Sequence, residues 1–146
     1  MTRGYFGIGI VNIKSECNYG TLFRSAFSFG ARFIFLTGKR FEKQSSDTTR
    51  SEKHLPLFRF QDIDDLLMHI PYNCQPVCVE LKPYSRDIVD FCHPERAIYI
   101  LGQEDGSLPD SLCERYPTVQ IPGTFCLNVS VAGSIVMYDR ISKARK

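Results

Sequence analysis

The chain has 146 residues, of which 43% are hydrophobic and 23% charged, and its formal net charge is +2. This composition excludes a disordered or fibrous protein, and the length suits one domain with its own core. The small net charge permits a nucleic acid as partner without requiring one. No apolar run approaches the ~20 residues of a membrane span and no signal peptide is visible, so we expect a single domain over residues 1–146 in a cytoplasmic protein.

Apolar segments with strand and helix periodicity alternate along the chain. The first half predicts a strand at 5–13, a polar loop at 14–20, a helix at 21–29 ended by Gly30, a strand at 32–37 and a long polar loop at 38–54. The second half predicts strands at 57–60, 77–81, 97–101 and 118–121, helices at 62–70 and 109–115, a short helix or turn at 88–92, and a terminal helix. This alternation predicts an α/β fold with a mostly parallel sheet flanked by helices.

The cysteines lie in apolar contexts and are scattered along the chain, at Cys17, Cys74, Cys78, Cys92, Cys113 and Cys126. They form no CxxC pair and no cysteine–histidine cluster with zinc spacing. We therefore expect reduced thiols, mostly in the core, and no metal site.

The stretch NYGTLFRSAFSFG, residues 18–30, combines a polar loop with an amphipathic helix. Leu22, Ala26 and Phe29 share the face that packs on the sheet, which leaves Arg24 on the solvent side. A guanidinium there can hold phosphate or ribose oxygens, and Asn18 lies in the loop that feeds the helix. An ordinary exposed arginine and a turn-forming asparagine fit the same pattern, so both interpretations stay open.

The stretch IYILGQEDG, residues 98–106, is an apolar strand followed by glycine and acidic residues. Ligand loops of parallel α/β proteins have this layout at the carboxyl ends of strands. Gly102 would let a flat ligand approach the backbone, and Glu104 would accept hydrogen bonds or fix the loop. A plain acidic turn is the alternative.

The C-terminal stretch, residues 118–146, is a short strand, a Pro-Gly break and a long helix. Asn128 either caps this helix or holds a substrate hydroxyl, and Cys126 is either a packed thiol or part of a site lining. The first turns predict close approach of another element because they hold small residues, namely Val129, Ser130, Ala132, Gly133 and Ser134. The helix ends in basic residues that we expect to be solvated, namely Arg140, Lys143, Arg145 and Lys146.

The three stretches carry a set of motifs in a fixed order. They are Asn-x-Gly-x-x-x-Arg-x-Ala-x-x-Phe-Gly at residues 18–30, Leu-Gly-x-Glu at 101–104, and Ile-Pro followed by Leu-Asn-Val-Ser-Val-Ala within 121–132. Together they resemble the three motifs of the SpoU/TrmH branch of the SPOUT RNA methyltransferases, over most of the chain.

The resemblance implies an α/β domain with a deep C-terminal trefoil knot that works as a homodimer. It implies S-adenosyl-L-methionine as the cofactor, in a pocket lined by Leu81, Gly102, Ile121, Cys126 and Leu127.

The implied reaction is methyl transfer to a ribose 2′-hydroxyl of RNA, either tRNA or rRNA. Arg24 would orient the ribose and phosphate and stabilise developing alkoxide charge, because an arginine is a poor base. Asn18 and Asn128 would hold the ribose or the first-motif loop, and Glu104 would fix the cofactor loop or the substrate.

The chain departs from the family pattern at Cys126, where many members carry serine, and in a shortened segment at 122–127. These departures keep open a second hypothesis, a non-catalytic knotted module that binds RNA and has lost methyl transfer. A third hypothesis, a flavodoxin-like nucleotide binder, is disfavoured because no glycine-rich phosphate loop follows a strand.

Overall fold

The computed structural model describes residues 4–11, 16–38, 55–102, 107–123 and 127–145, with only the backbone of residues 16–18. Within these ranges there are seven strands: β1 (Tyr5–Ile10), β2 (Phe33–Thr37), β3 (Leu57–Phe60), β4 (Gln75–Val79), β5 (Arg86–Asp87), β6 (Arg96–Leu101) and β7 (Thr118–Gln120). The same ranges hold four α-helices: α1 (Glu16–Phe29), α2 (Ile63–Met68), α3 (Asp110–Arg115) and α4 (Val129–Ala144). Short 3₁₀ turns occur at Pro71–Asn73 and Ile88–Asp90. Of the predicted loop at 38–54, only residue 38 is within the described ranges.

The strands form one sheet in the order β3-β2-β1-β6-β4-β7-β5, and every pairing is parallel. The predicted α/β class with a parallel sheet is therefore confirmed. From β1 the chain moves outward through β2 to β3, then returns to β4 on the other side and later fills the gap with β6. The strand order therefore changes direction beside β1, although all strands stay parallel. Parallel α/β sheets commonly bind ligands near such a switch point, outside the carboxyl ends of the strands.

The glycines of β1 have a packing role. Gly7 and Gly9 lie opposite Phe33 and Phe35 of β2, and a Cβ atom at either glycine would overlap the facing residue. The two phenylalanines are fully buried on that face of the sheet. The glycines therefore leave room for large rings in the core. This packing role explains why Gly7 and Gly9 are two residues apart, and no dinucleotide-binding site is needed to account for them.

Helices cover both faces of the sheet. Leu22 of α1 and Met137 of α4 belong to one buried cluster, whereas Leu66 of α2 and Leu112 of α3 belong to the other. A sheet buried on both sides needs strands that are apolar along their whole length, and all of β2 is buried. The near-continuous apolar runs in the sequence have this origin.

Helix α1 begins at Glu16, so the prediction of a loop up to residue 20 was wrong. Tyr19 and Phe23 are one turn apart, both are buried, and their ring centroids are 5.5 Å apart, which stabilises the added turn despite Gly20. The predicted end is confirmed. Gly30 has φ +84°, and Ala31 N–H donates to the Ala26 carbonyl at 2.9 Å, as in a Schellman motif.

The last turns of α4 are anchored to the start of β6, so the prediction of a solvated basic terminus was wrong for Arg140 and Lys143. Arg140 is 7% exposed and donates to the carbonyl oxygens of Pro94 and Glu95 at 2.7 and 2.8 Å. Lys143 donates to the Phe91 carbonyl at 2.8 Å. The Glu95 carbonyl also accepts from Tyr5 N–H at 2.8 Å, so Arg140 is a second donor there. Arg140 and Lys143 also supply donors to the Pro94 and Phe91 carbonyls.

A buried histidine completes this contact. Asp139 on α4 accepts from both His93 Nε2 and Lys143 Nζ at 2.7 Å, and the Tyr99 hydroxyl lies 2.7 Å from His93 Nδ1. Because a carboxylate only accepts, Nε2 carries the proton and Nδ1 accepts from Tyr99. Burial lowers the pKa of His93, which favours this neutral form.

In the described part of the chain, no helix is long and apolar enough to cross a membrane. The described side chains also contain no group of three or more potential metal ligands. Cys74, Cys78 and Cys113 are buried free thiols as predicted, and burial raises the pKa of each; Cys92 is exposed.

Candidate active site

Three of the predicted cofactor residues follow neighbouring strands. Leu81 follows β4, Gly102 follows β6 and Ile121 follows β7, and β6, β4 and β7 are adjacent in the sheet. Because all strands are parallel, their carboxyl ends lie at one edge. The fold therefore brings together residues that are up to 40 positions apart in the sequence.

The segment around Leu81 is held in place from both sides. Leu108 N–H donates to Glu80 Oε2 at 3.3 Å, and Lys82 forms an ion pair with Asp110 at 2.7 Å. The Leu81 side chain between them is 44% exposed. An apolar side chain kept in solvent by anchored neighbours is available to contact a ligand.

The turn before α4 is described in part. Ile121 is half-buried against the core, and Leu127 is 42% exposed. Cys126 and Glu104 lie outside the described residues, so their predicted roles stay predictions.

Asn128 is the N-cap of α4. Its Oδ1 accepts from the Ser130 backbone N–H at 2.9 Å and from the Ser130 hydroxyl at 2.6 Å, and from Val131 N–H at 3.4 Å. Of the two interpretations that the sequence allowed, the capping role is therefore present in the structure. The cap satisfies backbone donors that the first turn leaves unpaired.

Helix α4 runs against the direction of β6. Gly133 lies beside Leu101 at the carboxyl end of β6, and Arg140 contacts Glu95 just before its amino end. The start of α4, with Asn128, therefore lies at the same edge of the sheet as Gly102. This places the third motif next to the second.

The small residues of α4 allow α1 to approach closely. A Cβ atom on Gly133 would lie 2.5 Å from Cδ1 of Leu22, and Ser130 is 6% exposed. The expectation of close approach is confirmed, and the neighbour is a leucine side chain. Contacts of Leu22 with Gly133 and of Phe29 with Tyr138 show that α1 and α4 run in parallel.

Arg24 and Asn18 both lie on α1. Asn18 is in the first turn of the helix, not in a loop, and its side chain is outside the described set. Arg24 is exposed on the side away from Leu22, as predicted, about 12 Å along the axis from Glu16. It makes no hydrogen bond or ion pair with another described residue.

An exposed apolar surface, which we call the α1/α4 face, borders Arg24. An open groove of about 330 Å³ is lined by Thr21, Ser130, Val131, Ser134, Ile135 and Tyr138. Tyr138 is 62% exposed and Phe27 43%. Thr21, Arg24 and Phe27 follow at three-residue spacing, so the arginine lies on the same side of α1 as the groove.

The sequence and the fold both match known RNA methyltransferases. The family model described as SpoU rRNA methylase matches residues 6–138. The fold is similar to that of the A. aeolicus TrmH/SpoU tRNA modifying enzyme, with a TM-score of 0.83 and 19% identity over 99% of this chain and 77% of the other. An AdoMet-bound rRNA methyltransferase from Sinorhizobium meliloti has a TM-score of 0.82 and 23% identity, over 97% of this chain and 57% of the other.

A structure reported for the 2-OH methylation of C/U34 on tRNA has a TM-score of 0.81 and 20% identity, over 96% of both chains. No curated protein sequence matches the chain significantly.

Proposed function

The chain belongs to the SpoU rRNA methylase family, whose members act on RNA, and we propose that it transfers a methyl group from S-adenosyl-L-methionine to a ribose 2′-hydroxyl of tRNA or rRNA. The observation that carries this proposal is the position of Leu81, Gly102 and Ile121 at the carboxyl ends of adjacent strands, with the start of α4 beside them. The structure reported for 2-OH methylation on tRNA, which matches over almost its whole length, supports the choice of the ribose oxygen.

The residues at this edge fit such a cofactor. Leu81 and Leu127 are apolar and exposed, and Gly102 leaves the backbone after β6 open to a flat ring. We propose that these residues, with Ile121 and Cys126, hold the adenosine part and the aliphatic chain. When bound, the cofactor supplies an electrophilic methyl group.

The chain's own part in the reaction is to orient the RNA and to stabilise charge. Guanidinium groups stay protonated in proteins, so Arg24 is not the base. We propose that Arg24 binds the phosphate next to the target ribose and stabilises the oxygen as it loses its proton to a phosphate oxygen or water. We propose that Asn18 and Asn128 hold the ribose or the first-motif segment, and that Glu104 fixes the cofactor loop or the substrate. Asn128 also caps α4 beside Gly102.

We propose a homodimer that buries the α1/α4 face. Val131 and Tyr138 are apolar side chains in solvent around a shallow groove, and the small residues there permit a close helix contact. A second copy on this face would contact the surroundings of Arg24, so the two copies would form the substrate site together. The motif resemblance and the position of α4 beside β6 support a trefoil knot in which the C-terminal segment passes through the preceding loop.

Methyl transfer tests the proposal. Purified protein is incubated with tritiated S-adenosyl-L-methionine and total RNA from cells that lack the gene, and the labelled RNA is hydrolysed with alkali. A 2′-O-methyl group blocks cleavage of the next phosphodiester, so label in alkali-resistant dinucleotides is the expected result. Label in mononucleotides would indicate base methylation and contradict the ribose target. Cofactor binding without transfer to any RNA would favour the non-catalytic RNA-binding module.

Arg24→Ala tests the assigned role. We expect transfer to fall by at least a hundredfold, while calorimetry shows nearly unchanged cofactor affinity, because the arginine is expected to contact RNA only. Arg32→Ala is the matched control, since Arg32 is also exposed and lies just after α1. Equal activity of the two variants would remove Arg24 from the mechanism.

A further inference from the structure

A larger groove lies at the β5 end of the sheet, and we call it the amino-edge groove because the first residues of three strands line it. It crosses the amino ends of three neighbouring strands, at Gln75 of β4, Thr118 of β7 and Arg86 of β5. Phe91, Cys92 and Pro94 form one wall and the end of α3 the other, around a volume of about 600 Å³. The groove extends from Gln75 at the start of β4 to Arg86, which is level with Val79 at the end of β4. Tyr84 is three residues after Leu81, so this part of the groove lies near the candidate active site.

The walls combine aromatic rings with a cation. Tyr84 is 46% exposed, Tyr116 is half-buried, and Phe91 lies in the floor. Arg86 is exposed at the rim, and the Arg115 guanidinium lies 5.2 Å from the centre of the Tyr116 ring. Aromatic faces beside arginine are the surfaces on which proteins stack the bases of single-stranded nucleic acids.

Hydrogen-bonding side chains lie in the same groove. Gln75 offers an amide that both donates and accepts, and Glu114 accepts only. Glutamate and glutamine bind the amino and carbonyl edges of bases, whereas a phosphate alone would be repelled by Glu114. The groove therefore suits a nucleotide whose base lies between the rings and whose phosphate contacts Arg86.

A second exposed ring, that of Tyr72, lies three residues before Gln75 in the chain. Tyr72 has φ +56°, a conformation unfavourable for a side chain of its size, and its ring is 52% exposed. The ring centroid lies 4.9 Å from that of Tyr5, and Arg96 donates to the Tyr72 carbonyl at 3.2 Å. The strained turn thus fixes the position of this ring.

We propose that the amino-edge groove binds a single-stranded segment of the RNA substrate that neighbours the nucleotide that is methylated. The proposal rests on the proposed function, because the bound segment belongs to the same RNA whose target ribose would lie near Leu81 and Gly102. The groove would then select RNAs that present unpaired bases at a fixed distance from the target ribose.

Steady-state kinetics on the full chain test the proposal. Tyr84→Ala should raise the KM for tRNA roughly tenfold, the loss of one stacked base, with kcat and cofactor affinity unchanged. Tyr84→Phe keeps the ring and should behave like the wild type. Arg86→Ala should make the RNA affinity less dependent on salt. The slope of the logarithm of the binding constant against the logarithm of the salt concentration should become smaller in magnitude by about 0.7, the contribution of one phosphate of a single strand. The matched control is Arg59→Ala on β3, at the opposite end of the strand order.

Cys92 provides a readout that does not need methyl transfer. It is exposed and lines the groove, so its alkylation by N-ethylmaleimide can be followed by peptide mass spectrometry. We expect a short oligouridylate to slow this alkylation, and Tyr84→Ala to abolish the protection.

The two readouts separate the outcomes. Protection of Cys92 by RNA in a protein that transfers no methyl group would support the groove and contradict the proposed function. Normal transfer with no protection and an unchanged KM would overturn the groove. Equal protection by uridine monophosphate, or protection only by nuclease-treated cell extract, would indicate a small ligand or a protein partner and would also overturn it.

Discussion

Replacement of Arg140 by alanine tests how the C-terminal helix is held on the sheet. The guanidinium is almost fully buried and lies 5.1 Å from the centre of the Phe6 ring. It donates to two backbone carbonyl oxygens, of Pro94 and Glu95, and to the Tyr99 hydroxyl at 3.1 Å. Arg140→Ala removes all of these contacts. The Pro94 carbonyl then loses the Arg140 donor, whereas the Glu95 carbonyl keeps the hydrogen bond from Tyr5 N–H.

The size of the effect follows from these contacts. A hydrogen bond to a charged group contributes about 1.5–3 kcal/mol, and a desolvated cation–π contact about 2 kcal/mol. The simple sum is an upper bound, because water can enter the space and the terms are not independent. We expect a loss of about 3–5 kcal/mol in the free energy of unfolding, because three hydrogen bonds to a charged group at about 1.5 kcal/mol each set the scale.

Urea unfolding followed by circular dichroism measures this loss as a lower midpoint with an unchanged slope. The matched control is Arg145→Ala, because Arg145 is exposed in the same basic segment and should change stability by less than about 0.5 kcal/mol. If Arg140→Ala cost no more than Arg145→Ala, the anchoring role of Arg140 would be refuted.

Three further predictions concern the same helix and its partners. Gly133→Ala should destabilise the wild-type protein, because the new Cβ would overlap Cδ1 of Leu22. In the Leu22→Ala background that carbon is absent, so the same substitution should stabilise the protein by about 1 kcal/mol through the higher helix propensity of alanine. Asn128→Ala should cost about 1 kcal/mol of stability and Asn128→Asp much less, since aspartate keeps the cap oxygen. Burial lowers the pKa of His93, so as the pH decreases the unfolded chain binds the proton at a higher pH than the folded protein does. The free energy of unfolding should therefore decrease as the pH is lowered from about 6.5, by at most ~1.4 kcal/mol per pH unit. His93→Gln should remove this pH dependence in urea midpoints measured between neutral and mildly acidic pH.

Each of these predictions has a result that contradicts it. Equal effects of Gly133→Ala in both backgrounds would mean that Leu22 is not the limiting contact. Equal losses for the two Asn128 variants would show that the cap oxygen contributes nothing measurable. For the pH series, His69→Gln is the control, because that histidine side chain is 63% exposed. A matching change in the His69 variant would indicate that His93 is not the titrating group.

The sequence determined the elements and their faces. The alternation of apolar segments predicted the parallel sheet, and Gly30 marked the end of α1, because both signals depend on residues close together in the chain. Leu22 and Ala26 were assigned correctly to the buried face of α1, and Arg24 to the exposed one. The motif order also led to the family that matches residues 6–138.

Only the tertiary structure decided which elements are neighbours. Nothing local in the sequence places β6 between β1 and β4, yet this insertion brings Gly102 beside Leu81. The burial of Arg140 likewise depends on carbonyl oxygens 45 and 46 residues away. Asn18 lies in helix α1, and not in a loop, because the buried Tyr19 side chain stabilises the first turn of that helix. Strand order, the satisfaction of buried acceptors and the amino-edge groove all arise from contacts between distant segments, and their energies do not appear in local periodicity.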